Sequence, residues 1–161
     1  MGVEIERKFL VTGDAWRGRG RSSRLRQGYL CATKERSVRV RLDGRAGFLT
    51  VKGAARGAFR AEYEYRIPAR EAAELFSLCE KPLIEKTRTR VRFSGLLWEI
   101  DEFHGENRGL IVAEVELPHA RRRVPLPPWV GAEVTGDPRY LNAALLRNPY
   151  RRWAKRRKTG A

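Results

Sequence analysis

Hydrophobic alternation with a period of two runs through most of the chain and restricts the fold more than any other feature. Val38, Val40 and Leu42 alternate with Arg39 and Arg41, and Leu49 and Val51 with Thr50 and Lys52. Ala61, Tyr63, Tyr65 and Ile67 alternate with Glu62, Glu64 and Arg66, and Ile111, Ala113, Val115 and Leu117 with Val112, Glu114 and Glu116. Such segments are strands, most with two chemically distinct faces. The rule gives eight, near Val3–Val11, Arg24–Ala32, Ser37–Asp43, Gly47–Gly53, Arg60–Ile67, Ile84–Phe93, Leu97–Phe103 and Gly109–Leu117. Asp43-Gly44, Ser94-Gly95 and the stretch between Gly105 and Gly109 are turn signals. Connections this short make neighbouring strands antiparallel. Two helices are expected, Ala69–Glu80 after Pro68 and Tyr140–Arg147 between Asp137-Pro138 and Asn148-Pro149. Pro125, Pro127 and Pro128 exclude regular structure between the last predicted strand and the second helix.

The polar faces of these strands carry unusual charge. They present Glu4, Glu6 and Lys8; Arg39 and Arg41; Lys52; Glu62, Glu64 and Arg66; Lys86, Arg88, Arg90 and Arg92; Glu99 and Asp101; Glu114 and Glu116. Charges two residues apart project to one side of a sheet. Any single strand of this kind reads as solvent-facing. The set as a whole is harder to place outside, because like-signed pairs repel and each needs an opposite charge or a bound ion beside it. Turned inward around one cavity, the acids can bind a divalent metal and the bases phosphate oxygens. The sharpest local element is Glu4-x-Glu6-x-Lys8, two carboxylates and an ammonium on one face of one strand. Magnesium takes a few carboxylates together with substrate phosphate oxygens, and lysine neutralises phosphate as a compact donor.

The chain's 161 residues suit one domain, and its formal net charge of +15 favours polyanionic partners. Cys31 and Cys79, with only His104 and His119, make neither a disulfide framework nor a zinc site. Two ordinary thiols suit a reducing compartment, and a cytoplasmic location is expected. The acidic, alternating amino terminus is no signal peptide, and no apolar run reaches the ~20 residues of a membrane span. The organisation expected is one domain over residues 1–148 and a basic, mobile tail over 149–161, through which nucleic acid could be bound without being required for turnover.

Taken in order, these elements resemble the CYTH family, the triphosphate tunnel metalloenzymes. Glu4-x-Glu6-x-Lys8 matches its amino-terminal signature, and Arg26-Gln27-Gly28-Tyr29-Leu30 its second-strand segment. Arg39-Val40-Arg41 and Thr50-Val51-Lys52 match its arginine pair and tunnel lysine. Glu62-Tyr63-Glu64, Glu85-Lys86-Thr87-Arg88 and Glu114-Val115-Glu116-Leu117 match its later charged strands. Pro127-Pro128-Trp129 and the Glu133–Tyr140 stretch are similar to the end of its short bacterial members, the inorganic tripolyphosphatase-like branch.

The resemblance implies a mainly β fold, an eight-stranded antiparallel closed barrel with a charged lumen and a few flanking helices. It implies Mg2+ or Mn2+ held by Glu4, Glu6, Glu114 and Glu116, with phosphates gripped by Lys8, Arg39, Arg41, Lys52, Lys86 and Arg88. Arg90, which extends the basic strand, and the acids Glu62 and Glu64 are counted with the substrate-binding set. Glu4 or Glu6 would orient or deprotonate the attacking water, with Lys8 and Tyr29 also assigned to the catalytic set. The implied reaction is hydrolysis of tripolyphosphate to pyrophosphate and phosphate. Adenylate cyclase, thiamine or nucleoside triphosphatase, and a non-catalytic polyphosphate- or RNA-binding module stand as alternatives. The apolar outer strand faces outnumber the helices available to cover them, so packing against a second copy in a homodimer is also expected.

Overall fold

The computed structural model describes residues 5–56, 59–119 and 121–154. Nine strands are present: β1 (Ile5–Val11), β2 (Arg21–Ala32), β3 (Arg36–Asp43), β4 (Ala46–Arg56), β5 (Phe59–Ile67), β6 (Ile84–Phe93), β7 (Leu96–Phe103), β8 (Ile111–Leu117) and β9 (Val130–Glu133). They form a single sheet in the order β5-β4-β3-β2-β6-β7-β8-β1-β9, antiparallel at every pairing. The first eight are the eight expected from the alternation. The β6–β7 turn places Ser94 at φ 48° and Gly95 at φ 77°, the two positive values that a tight hairpin matched to strand twist requires.

The sheet curls around its charged face. Side chains from β1 to β8 line one cavity of about 1350 Å³. The expected closure of the barrel needs correction: among the described residues the sheet ends at β5 on one side and β9 on the other, and no ladder joins them. β9 is only four residues long and pairs with β1 through a register shift between Phe9 and Val11. A lumen walled by hydrated charges has no apolar filling to draw the two edges together. β9 itself escaped the alternation rule because four residues after a proline-rich run carry too little periodicity.

Apolar residues pack outside this charged wall and at one end of it. On the convex side, Phe9, Trp98, Ile100, Ala113 and Val115 are covered by Trp16, Val124 and Trp129 from the loops. Helix α1 (Ala69–Leu75) covers a second patch on β2, β3 and β4 through Ala72, with Phe76 and Cys79 beyond its end. A third cluster plugs one end of the lumen. There Tyr29, Ile84, Phe103, Leu110 and Val112 of the wall meet Tyr140, Leu145 and Leu146, the last two from α2 (Asn142–Arg147). Tyr63 and Tyr65 remain 48% and 56% exposed on β5. Among the described residues, no helix is long and apolar enough to cross a membrane.

Three expectations shift. The helix predicted over Ala69–Glu80 ends at Leu75, continues as a 3-10 turn over Phe76–Leu78 and becomes extended at Cys79. The helix predicted from Tyr140 starts at Asn142. A 3-10 turn over Pro138–Tyr140, capped by the Asp137 side chain, precedes it, and Leu141 between them is extended. The tail, expected to be mobile, begins with helix α3 (Tyr150–Ala154), whose Trp153 packs against the lumen plug; residues 155–161 lie outside the described set.

Gly28 on β2 is packed closely against the segment from Cys79 to Leu83. A Cβ there would stand 2.7 Å from Cys79 Cβ and 2.7 Å from a Leu83 methyl carbon. Gly28→Ala is therefore expected to destabilise the fold by about 1–3 kcal/mol through overpacking, read by urea denaturation. A change below about 0.5 kcal/mol would mean that the segment from Cys79 to Leu83 yields freely.

Candidate active site

Period two places every second residue of each strand on the cavity wall. β1 contributes Glu6 and Lys8, β2 Gln27 and Tyr29, β3 Ser37, Arg39 and Arg41, β4 Thr50 and Lys52, and β5 Arg60, Glu62 and Glu64. β6 adds Lys86, Arg88 and Arg90, β7 Glu99, and β8 Glu114 and Glu116. Every site residue expected from the sequence lies on this wall except Glu4, which lies outside the described residues. Arg92, on the same strand face, is exposed and not among the lining residues. Arg90 and Glu99 are. Asp101 lies behind the wall, wholly buried.

The wall is sorted by charge. Lys8 donates to Glu114 at 2.9 Å and lies 4.0 Å from Glu6. Burial disfavours the Lys8 ammonium, but the charges of Glu114 and Glu6 outweigh it and raise its pKa. On β6, Arg88 donates through Nε and Nη2 to Asp101, each at 2.7 Å, and through Nη1 to Glu99. Lys86 donates to the same Asp101 at 2.6 Å. Burial opposes ionisation of Asp101, yet Lys86 and Arg88 overcome it and hold the carboxyl well below its usual range. Arg90 bridges Glu99 and Asp43, each at 3.1 Å. Across the cavity, Lys52 pairs with Glu62 at 2.9 Å and Arg41 with Glu64 at 3.3 Å.

Among the described residues cations still exceed acids: the lining holds ten Lys or Arg side chains against six Glu. Among the described residues, Nε of Arg39 and Nε of Arg41 are buried donors without an acceptor. Burial and the neighbouring Arg39 charge depress the pKa of Arg41 despite Glu64. A cavity rich in donors and short of acceptors is suited to an anion with many oxygens. Tyr29 is 6% exposed. Burial raises its pKa, against the pull of Arg39 and Lys52, so its phenol is a hydrogen-bond donor rather than a base.

The other acids of the wall lie on β1 and β8. Glu6 stands directly across the strand pair from Glu116, and Lys8 from Glu114. Two carboxylates facing each other in register are unfavourable unless a cation lies between or beside them. The donors are oxygens only, the set that suits magnesium or manganese. Among the described residues, no three His, Cys, Asp or Glu side chains are grouped closely enough to enclose a metal unaided.

Several lining residues were not singled out from the sequence. Thr50 donates to Glu64 at 2.9 Å, and its phase with Lys52 could have revealed it. Asn142 and Arg147 reach the cavity from α2, and no strand periodicity could signal them.

The CYTH domain model matches residues 2–142. The chain belongs to the CYTH family. It is 53% identical over 152 residues to a protein of Acetivibrio thermocellus named inorganic triphosphatase, covering 94% of this chain and 97% of that one. It is 40% identical over 148 residues to a Nitrosomonas europaea protein of the same name, covering 89% and 96%. The crystal structure of the inorganic triphosphatase NE1496 superposes with a TM-score of 0.68 at 38% identity, over 91% of this chain and 95% of that one. HpAC1 from Hippeastrum, at 17% identity and a TM-score of 0.57 over 72% and 80%, shares the fold. The curled sheet and its charged wall are thus the CYTH architecture. Helix α3 lies beyond the segment that the family model matches.

Proposed function

We propose that this CYTH protein hydrolyses inorganic tripolyphosphate to pyrophosphate and phosphate with the help of a divalent metal, Mg2+ or Mn2+. The observation that carries this reading is the arrangement of the wall, with phosphate-binding cations on β3, β4 and β6 and a carboxylate edge on β1 and β8. The relatives named inorganic triphosphatase support it. Among the described lining residues Tyr29 is the single aromatic, and it is buried, so these residues offer no platform on which a base or thiamine ring would stack. This favours an inorganic chain over ATP or thiamine triphosphate, and over the cyclase reaction.

Phosphoryl transfer needs chiefly positioning and charge stabilisation. Arg39, Arg41, Lys52 and Arg90 line the bed in which phosphate oxygens are bound. Lys86 and Arg88, fixed from behind by Asp101, form its rigid side. Lys8, between the two halves, neutralises charge on the phosphoryl group as it leaves. Glu6, Glu114 and Glu116, with Glu4 beside them in sequence, would hold the metal, and Glu6 would orient the attacking water and accept its proton. The metal, when bound, neutralises phosphate charge and makes hydroxide accessible near neutral pH. Tyr29 donates toward the bound anion, and Glu62 and Glu64 hold Lys52 and Arg41 by ion pairs on the β3–β5 side of the wall.

The reading extends to a cytoplasmic setting, with Cys31 and Cys79 as free thiols, and to a homodimer seated on the exposed tyrosines of β5. RNA or long polyphosphate is assigned to the basic stretch 151–161 as an ancillary contact. The test is phosphate release from tripolyphosphate, ATP, thiamine triphosphate and pyrophosphate, each with Mg2+ or Mn2+. Tripolyphosphate should exceed each of the others in kcat/KM by at least about tenfold, well beyond what a single extra contact gives. Equal or faster turnover of ATP would move the protein to a nucleotide substrate, and absence of turnover with every metal would leave a polyanion-binding module.

A further inference from the structure

Helix α3, beyond the family-matched residues, reaches the site through one short path. Lys8 is 6% exposed, and its ammonium, besides pairing with Glu114, donates to the carbonyl oxygen of Tyr140 at 3.4 Å. The Tyr140 ring, itself buried, meets the Trp153 ring edge-on at 5.3 Å between centroids. Trp153 also meets Tyr150 edge-on at 4.8 Å, and the Arg139 guanidinium lies 5.2 Å from the Trp153 ring.

Helix α3 is bolted in place at both ends. The Tyr150 amide donates to Asn107 Oδ1 at 2.8 Å, while Asn107 Nδ2 donates to the Leu145 carbonyl at 3.3 Å, so one buried amide joins α2, α3 and the β7–β8 connection. The Trp153 indole donates to the Asn148 carbonyl at 3.2 Å. A five-residue helix has little stability of its own, and its order here comes from these contacts. An aromatic anchored this way fixes the residue it packs against, and the residue it packs against supplies an acceptor to Lys8.

We propose that Trp153 is a positioning residue for Lys8, acting through Tyr140. The inference rests on the assignment of Lys8 to phosphate binding. Remove the indole and the Tyr140 main chain loses its backing. The Lys8 ammonium then keeps Glu114 as its main partner and is drawn toward the acidic edge, away from the phosphate bed. The tail therefore contributes to the site, although none of its own side chains needs to touch substrate.

The experiment is a double-mutant cycle on metal-free binding of tripolyphosphate, measured by calorimetry in the full-length protein. Trp153→Ala is expected to weaken binding about fivefold when Lys8 is present and less than twofold in a Lys8→Met background. Trp153→Phe, which keeps an aromatic edge against Tyr140, should restore most of the loss, and Arg70→Ala on the exposed side of α1 should bind as the parent does. Thermal melting of every variant separates misplacement of Lys8 from loss of fold. An equal weakening in both backgrounds, or none in either, would overturn the proposal, as would failure of Trp153→Phe to rescue in a protein that melts like the parent. If Lys8→Met alone leaves binding and turnover unchanged, the assignment of Lys8 falls instead, and with it the premise of the inference.

Discussion

Asp101→Ala is expected to destabilise the protein by about 3–5 kcal/mol, the usual cost of removing one partner from a buried ion pair. Asp101 is wholly buried, and it accepts from both Lys86 and Arg88, which are themselves 1% and 7% exposed. Without it, two cations stay enclosed, and Glu99 and the more distant Glu114 are the acids left to face Arg88. Asp101→Asn keeps the shape and still loses the charge, so it should fall between the parent and the alanine variant. Urea denaturation at neutral pH measures the difference. The pH dependence has a definite sign. The carboxyl titrates lower in the folded chain than in the unfolded one, so its contribution is fully present above the ordinary carboxylate pKa of about 4 and fades as pH falls below it. The gap between parent and Asp101→Asn should therefore narrow steadily in acid. A gap that stays constant from pH 7 to pH 3, or an alanine variant within 1 kcal/mol of the parent, would show that Asp101 does not hold these cations.

Why the charged faces of this site were legible in the sequence, and the depth of Asp101 was not, follows from what alternation encodes. Period two assigns a residue to a face, and a charged residue on an inward face declares itself against apolar neighbours. Arg39, Arg41, Lys52, Lys86 and Arg88 could be grouped that way before any coordinates. Asp101 shares the phase of Glu99, and so its face was readable too, but depth was not. Glu99 lines the cavity while Asp101 is sealed between Lys86, Arg88 and the plug, and that difference depends on where Phe103 and Leu145 fill the lumen. The plug itself comes from the chain's end, where short helices without a sustained stripe carry no period to read. Closure was overestimated for a related reason. Alternation says which way side chains point, whereas edge pairing depends on the length and register of the last strand, here the four residues of β9.

The carboxylates of β1 and β8 decide between an enzyme and a binding module, and the largest kinetic effect is expected there. Glu6→Gln, Glu114→Gln and Glu116→Gln preserve size and remove charge. Each should lower metal-dependent phosphate release by about 100-fold or more, the scale of losing a group that stabilises developing charge at a phosphoryl centre. The same changes make the cavity more cationic, so tripolyphosphate binding without metal should be retained or tightened by up to about tenfold. Glu116→Gln is the cleanest of the three. Glu114 also pairs with Lys8 at 2.9 Å and lies 3.6 Å from Arg88, so its removal disturbs the bed as well as the acidic edge. Glu116 is exposed and faces Glu6 across the strands, and its neutralisation relieves a like-charge pair, so the fold should be at least as stable as the parent. The two measurements must be made on the same samples: calorimetry without metal, and phosphate release with Mg2+ or Mn2+. EDTA should reproduce the loss in the parent, and added metal should reverse it. A polyanion-binding module would show tighter binding in the variants and no turnover to lose. Full turnover in all three variants, or in EDTA, would instead require a metal-free hydrolase, in which the ten cations of the wall stabilise the leaving phosphate without help from the acidic edge.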